Sequence, residues 1–124
     1  NTTRSFIYST ALPPAVIAAN IASLDIVRDE PFRRKILLEN AAYFRKQLHG
    51  HGFEVRSSSQ IVPLIIGDTR KTVHLSDRLR GKGYWVLPIR PPTVGATDSR
   101  LRFSLTYYHP KSLLERLVND ICSL

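Results

Sequence analysis

The sequence predicts an α+β fold: a two-layer sandwich in which helices cover one face of a small, mainly antiparallel sheet. Three observations carry that expectation. Helix-period stripes and short strand-like runs follow one another in the order α-α-β-β-α-β-β-α, an order suited to helices segregated on one side of a sheet. The run "RLRFSLT" sets Leu101, Phe103 and Leu105 on one face and Arg100, Arg102 and Ser104 on the other, because strand side chains alternate with period two. A chain of 124 residues, 43% of them hydrophobic, can bury one core, so a single domain is expected.

Each element has its own signal. "PPAVIAANIASLDIVRDEP" opens on Pro13 and Pro14, repeats apolar residues at Ile17, Ile21 and Leu24, and stops before Pro31, which predicts a helix. "FRRKILLENAAYFRKQLHGHG" places Phe32, Ile36, Leu37, Phe44 and Leu48 broadly on one side, with Gly50 or Gly52 as the stop, and predicts a second. Together they give an antiparallel pair or one sharply bent helix. "FEV" and "IVPLIIG" read as strands. The latter is apolar on both faces, which suggests cover on both sides, while Pro63 argues for an edge or a bulge.

"DTRKTVHLSDRLRGKG" offers Asp68 as N-cap, apolar Val73 and Leu79, and a Gly81/Gly83 ending, the pattern of a third helix. "YWVLPI" and "RLRFSLT" follow as strands. "HPKSLLERLVNDICSL" closes the chain as a helix with Leu113, Leu114, Leu117, Ile121 and Leu124 on one stripe and Pro110 near its first turn. Cys122 falls in that apolar pattern and reads as a small core residue. Residues 13–50 thus form a helical segment and 53–124 the sandwich.

Composition excludes more than it identifies. The net charge of +8 would suit a nucleic-acid surface if the cations clustered. They do not: Arg28, Arg33, Arg34 and Lys35 are interrupted by Asp29 and Glu30, and Arg78, Arg80 and Lys82 follow Asp77, the pattern of solvated helix faces. A nucleic-acid module would also need stacking aromatics on the open sheet face or a GxxG loop, and neither occurs. An anionic ligand or an acidic partner domain is the other account of the charge. No apolar run approaches the roughly 20 residues that cross a bilayer, so the chain reads as soluble and cytoplasmic. His49, His51, His74 and His109 lack metal-ligand spacing, and no metal is expected. No nucleophile elbow, phosphate loop or paired-carboxylate motif is present. Ser9 and Thr10, ahead of the first helix, are a cap, a turn or an anion contact.

Four segments, "RSFIYSTALPPAVIAA", "IVPLIIGD", "IRPPTV" and "SRLRFSLTYYH", resemble in order and spacing the C-terminal part of the α-oxoamine synthases. These are pyridoxal-phosphate enzymes of the aspartate-aminotransferase fold (fold type I). The resemblance covers essentially the whole chain. "IRPPTV" most resembles the biotin-pathway branch, whose members condense a pimeloyl thioester with L-alanine and release carbon dioxide. The branches that make 5-aminolevulinate, 2-amino-3-oxobutyrate or the sphingoid base precursor share the "RLR" strand and usually differ around "RPPT".

What the resemblance implies is specific. Arg102 matches the family arginine that grips the α-carboxylate of the amino-acid substrate, a task for which a planar guanidinium fork is suited. Thr93 matches the threonine of the substrate loop, and Arg90 is a second cation near the acyl substrate. Ser9 and Thr10 match the "ST" that reaches the cofactor site of the neighbouring subunit in a homodimer. Gly95 stands where the family usually has proline, which would loosen the Thr93 loop. Arg100 is expected to be a structural or surface charge. The family's cofactor lysine and the groups that hold the cofactor ring match nothing here. Residues 1–12 would then lead in from a missing large N-terminal domain, and the chain alone would be inactive. A non-catalytic interaction domain of the same fold is the rival reading.

Overall fold

A computed structural model describes residues 10–123. The chain divides into two compact units, Asn1–Phe32 and Arg33–Leu124. In the first, helix α1 runs over Pro14–Asp29 with Pro14 in its opening turn, where proline's missing N–H is no loss. The Val16 N–H donates to Pro13 O at 2.9 Å, and the Glu30 N–H closes the other end on Ile26 O at 2.9 Å. No residue of α1 is buried. Its Ile17, Ile21 and Leu24 are all exposed. Arg28 pairs with Asp25 at 3.0 Å and Asp29 at 2.7 Å, as expected of a solvated charged end.

Helix α2 spans Pro31–Gly50, and its second-unit portion buries Asn40, Ala41, Phe44 and Leu48. Ile36 and Leu37 are half-buried and Phe32 is exposed. Gly52 ends the helix with φ of 81°, a left-handed conformation that glycine adopts without a Cβ clash. That turn lets the Phe53 N–H return to Leu48 O at 3.1 Å.

Three strands follow: β1 (Ile61–Gly67), β2 (Leu87–Ile89) and β3 (Ser99–Ser104). β3 is central and antiparallel to both neighbours, in the order β1-β3-β2. Pro63 therefore sits on an edge strand, where a missing donor is tolerated. The register breaks between Ile65 and Gly67, so the bulge that Pro63 also suggested lies further along. Helix α3 (Thr69–Gly81) is capped by Asp68, whose carboxylate accepts the Lys71 N–H at 2.7 Å. Helix α4 (Lys111–Cys122) buries Leu114, Leu117, Val118 and Ile121.

One core joins these elements. Phe44, Leu48, Leu79, Leu114 and Leu117 from the helices meet Val62, Leu64, Leu101 and Phe103 from the sheet, with Leu105 just beyond it. Phe44 and Phe103 stack edge to face with centroids 5.3 Å apart, an arrangement that aligns ring edge with ring face. The predicted two-layer α+β architecture is the observed one.

Several local expectations differ. "FEV" forms only an isolated bridge, Val55 to Leu64, because the serines after it turn the chain away. Ser57 Oγ donates to Ile61 O at 2.6 Å and accepts the Ser59 N–H at 3.1 Å, offering the backbone partners other than a ladder. Of "YWVLPI" only Leu87–Ile89 is strand, since the Val86 carbonyl accepts the buried Ser76 hydroxyl at 2.8 Å. α3 packs through Thr72, Ser76 and Leu79, with Val73 only half-buried. β1 is not covered on both sides: Val62 and Leu64 are buried, whereas Ile61 is exposed and Pro63 and Ile65 are half-buried. Cys122 is exposed rather than core, because it lies a helical step beyond the buried Ile121. Leu124 lies outside the described residues.

The start of α4's core contact predicts a test. Leu117 is buried, so Leu117→Ala should cost about 2–5 kcal/mol, read from a denaturant midpoint. An unchanged midpoint would contradict the packing.

A second test concerns acid. The Asp120 carboxylate accepts from Lys82 Nζ at 2.5 Å and from the Tyr84 hydroxyl at 2.6 Å. The Lys82 contact first, and Tyr84 next, hold its pKa below the ordinary aspartate value. A folded pKa below the unfolded one stabilises the fold above the unfolded value, and that gain is lost as pH falls through the folded one. Asp120→Asn should therefore lower the thermal midpoint at pH 7, with the gap to the parent closing below about pH 4. A gap that persists in acid would remove the carboxylate from the account.

Candidate functional site

The outward face of the sheet is built from the residues the core leaves over. Register places Pro63, Arg102 and Leu87 in one row and Ile65, Arg100 and Ile89 in the next. Two guanidiniums thus rise from a partly apolar floor. The strand that carries them is anchored at its start, where buried Ser99 shares a 2.9 Å hydrogen bond with Thr69 of α3.

Over this face lies a groove of about 370 Å³ lined by Arg100, Arg102, Thr93 and the 56–59 segment. Three arginines reach it, and their environments differ. Arg56 is paired with Glu54 through Nε at 2.6 Å. Arg100 donates from Nε to Asp98 O at 2.9 Å and pairs with Asp98 Oδ2 at 2.8 Å, its side chain only 22% exposed. Arg102 is exposed, and among the described residues its guanidinium makes no hydrogen bond or ion pair. Two positive charges are answered within the chain, and the third, with five N–H donors, is available to an external carboxylate.

The loop beside it is shaped by two turns. The Thr93 N–H donates to Arg90 O at 3.1 Å and the Asp98 N–H to Gly95 O at 3.0 Å; the Pro91–Pro92 peptide is cis. The Gly95 carbonyl thus accepts a turn-closing bond. The structure brings Thr93 to the Arg102 groove and separates Arg90 from it: Arg90 lines a different groove with Arg70 and His74 of α3. Thr10 is exposed and belongs to the first unit, while Ser9 lies outside the described residues. Sequence reasoning missed Arg56, Ser57 and Ser59 as groove residues. It also missed the Asp98 partner of Arg100, for which a signal existed, two residues apart in a chain entering a strand.

No group of three or more His, Cys, Asp or Glu side chains that could hold a metal occurs among the described residues. No described helix is long and apolar enough to cross a membrane.

The aminotransferase class I and II family profile matches residues 1–121. The chain belongs to that family. Among its relatives, a Bacillus mycoides protein named "Putative 8-amino-7-oxononanoate synthase" is 43% identical over 122 residues, covering 98% of this chain and 31% of the relative. A Desulfosudis oleivorans protein of the same name is 42% identical over 120 residues, with 96% and 31% coverage. Of solved structures, 8-amino-7-oxononanoate synthase from Francisella tularensis aligns with a TM-score of 0.82 at 25% identity, covering 97% of this chain and 35% of that one. Sphingomonas wittichii serine palmitoyltransferase aligns with a TM-score of 0.86 at 26% identity, covering 94% and 30%. This aminotransferase-family chain therefore spans about a third of the length of the proteins it matches.

Proposed function

We propose that this chain supplies the substrate-carboxylate grip of a pyridoxal-phosphate-dependent α-oxoamine synthase. The reaction is condensation of a pimeloyl thioester with L-alanine, with loss of carbon dioxide, to 8-amino-7-oxononanoate in biotin biosynthesis. The observation that carries this reading is the unpaired Arg102 in a groove where Arg56 and Arg100 are already neutralised. The relatives' shared name and the "RPPTV" loop support the choice of branch.

In this reading Arg102 clamps the alanine carboxylate through two parallel N–H···O bonds, which fixes orientation as well as position. Thr93 flanks the bound substrate, and the floor beside Arg102 is partly apolar. Arg90 is assigned to the acyl substrate on the resemblance alone, from a groove of its own. Ser9 and Thr10 are assigned, on the resemblance alone, to the cofactor site of the other subunit of a homodimer.

Pyridoxal phosphate supplies an electron sink to enzymes of this class, but the described residues do not make a holder for it. No lysine lines the Arg102 groove; Lys82 is tied to Asp120, and Lys111 lies over the Tyr43 ring. The cofactor is accordingly assigned to residues outside this chain, in a cytoplasmic full-length enzyme. A serine-using synthase is the second reading, favoured by the likeness to the Sphingomonas wittichii protein.

Two experiments follow. The 124-residue chain alone should show no turnover and no single saturable pyridoxal-phosphate site; one stoichiometric, borohydride-trappable lysine adduct at micromolar cofactor would overturn this. In the full-length enzyme, Arg102→Lys keeps the charge but loses the fork. A charged hydrogen bond contributes roughly 1.5–3 kcal/mol, so apparent alanine affinity should weaken by about one to two orders of magnitude, with cofactor loading intact. Arg100→Lys should do far less, because Asp98 already holds that charge. Alanine and serine titrations of the cofactor's visible absorbance make the comparison. Equal weakening in both variants would reject the clamp, and a response to serine alone would favour the second reading.

A further inference from the structure

A cavity of about 230 Å³ opens on the helix-covered side of the sheet, and none of the roles above uses it. Phe103 of β3 and Leu113 and Leu117 of α4 give it an apolar lining, while Tyr84, Trp85, His109 and Arg116 stand around it. Trp85 is 79% exposed, an unusual position for the largest apolar side chain, with the Arg80 guanidinium 5.0 Å above its ring.

The polar groups at this cavity present donors. Arg116 uses Nε on the Tyr84 hydroxyl at 3.1 Å, which leaves its terminal nitrogens. The Tyr84 hydroxyl proton is itself committed to Asp120 at 2.6 Å. His109 accepts the Thr106 N–H at Nδ1, 3.1 Å away, which puts the proton of the neutral ring on Nε2. No acidic residue lines the cavity, and the nearby Asp120 carboxylate is held by Lys82. The local balance is therefore positive, with an apolar, aromatic interior beneath it.

We propose that this cavity binds a small aromatic monocarboxylate, its ring against Phe103 and Leu113 and its carboxylate on Arg116. Size fits the class: a cavity of roughly 150 Å³ holds benzene, and the additional volume here accommodates one carboxylate. The aromatic side chains at the opening favour a ring over a linear chain. Arg102 lies on the opposite face of β3 from Phe103, so the site is separate from the substrate groove and does not depend on the proposed reaction.

Calorimetric titration of the full-length protein with sodium benzoate tests this, with benzyl alcohol and acetate as probes lacking the charge or the ring. One saturable benzoate site per chain is expected, with both controls at least about tenfold weaker. Arg116→Gln should reduce benzoate affinity to the benzyl alcohol level, and Leu113→Trp, which fills the cavity, should abolish it. Arg102→Gln should leave it unchanged. Absence of saturable binding, equal binding of benzoate and benzyl alcohol, or indifference to Arg116→Gln would overturn the proposal. So would loss of binding in Arg102→Gln, which would move benzoate to the other groove.

Discussion

The alternation of β3 is the constraint on which everything else rests. Its core-facing residues Leu101 and Phe103 are buried, as is Leu105 just past its end, and the intervening Arg102 and Ser104 are exposed. A slip of one residue would exchange these faces and carry a guanidinium into a core with no acid to receive it, at several kcal/mol per buried ion. The core thereby fixes the direction of Arg102. Strand pairing on both sides and the Thr69–Ser99 hydrogen bond hold the same register.

Within the outward face, the flanking sequence decides what each arginine can do. Arg100 and Arg102 are two residues apart on one strand and point the same way. Arg100 is drawn to the chain it has just left, where Asp98 offers both a carbonyl and a carboxylate. The neighbours of Arg102 in the register are Pro63 and Leu87, neither of which has a side-chain acceptor. The difference between a structural and an available guanidinium thus comes from which residues lie across the strand and at its entry.

Much of this was legible because it depends on local period and capping. The strand alternation at 100–104, the Asp68 cap and the α4 stripe at Leu114, Leu117 and Ile121 are short-range signals that the fold preserves. What escaped depends on distant partners. Thr72 and Ser76 look like surface residues until Asp68 O and Val86 O accept their hydroxyls, so the buried face of α3 could not be read from apolar residues. "FEV" has strand composition but loses its ladder to the serine turn after it. Arg90 and Thr93, three residues apart, fall in different grooves because a tight turn intervenes, a geometry that no spacing rule contains. The resemblance assigned roles to these residues, while only the structure says which share a groove.

The two faces of β3 also give one small sheet two concave surfaces of different character. Phe103 contributes to the cavity on the helix side, and its neighbour Arg102 to the groove on the other. Period two makes adjacent residues serve opposite surfaces, so each surface can acquire its own character without a shared side chain. Any coupling between them must pass through displacement of the strand itself. β3 is held by ladders along both edges and packs through Phe103 onto Phe44, and a strand paired on both sides resists such shifts. A rigid central strand therefore presents a charged groove and an apolar cavity as independent sites.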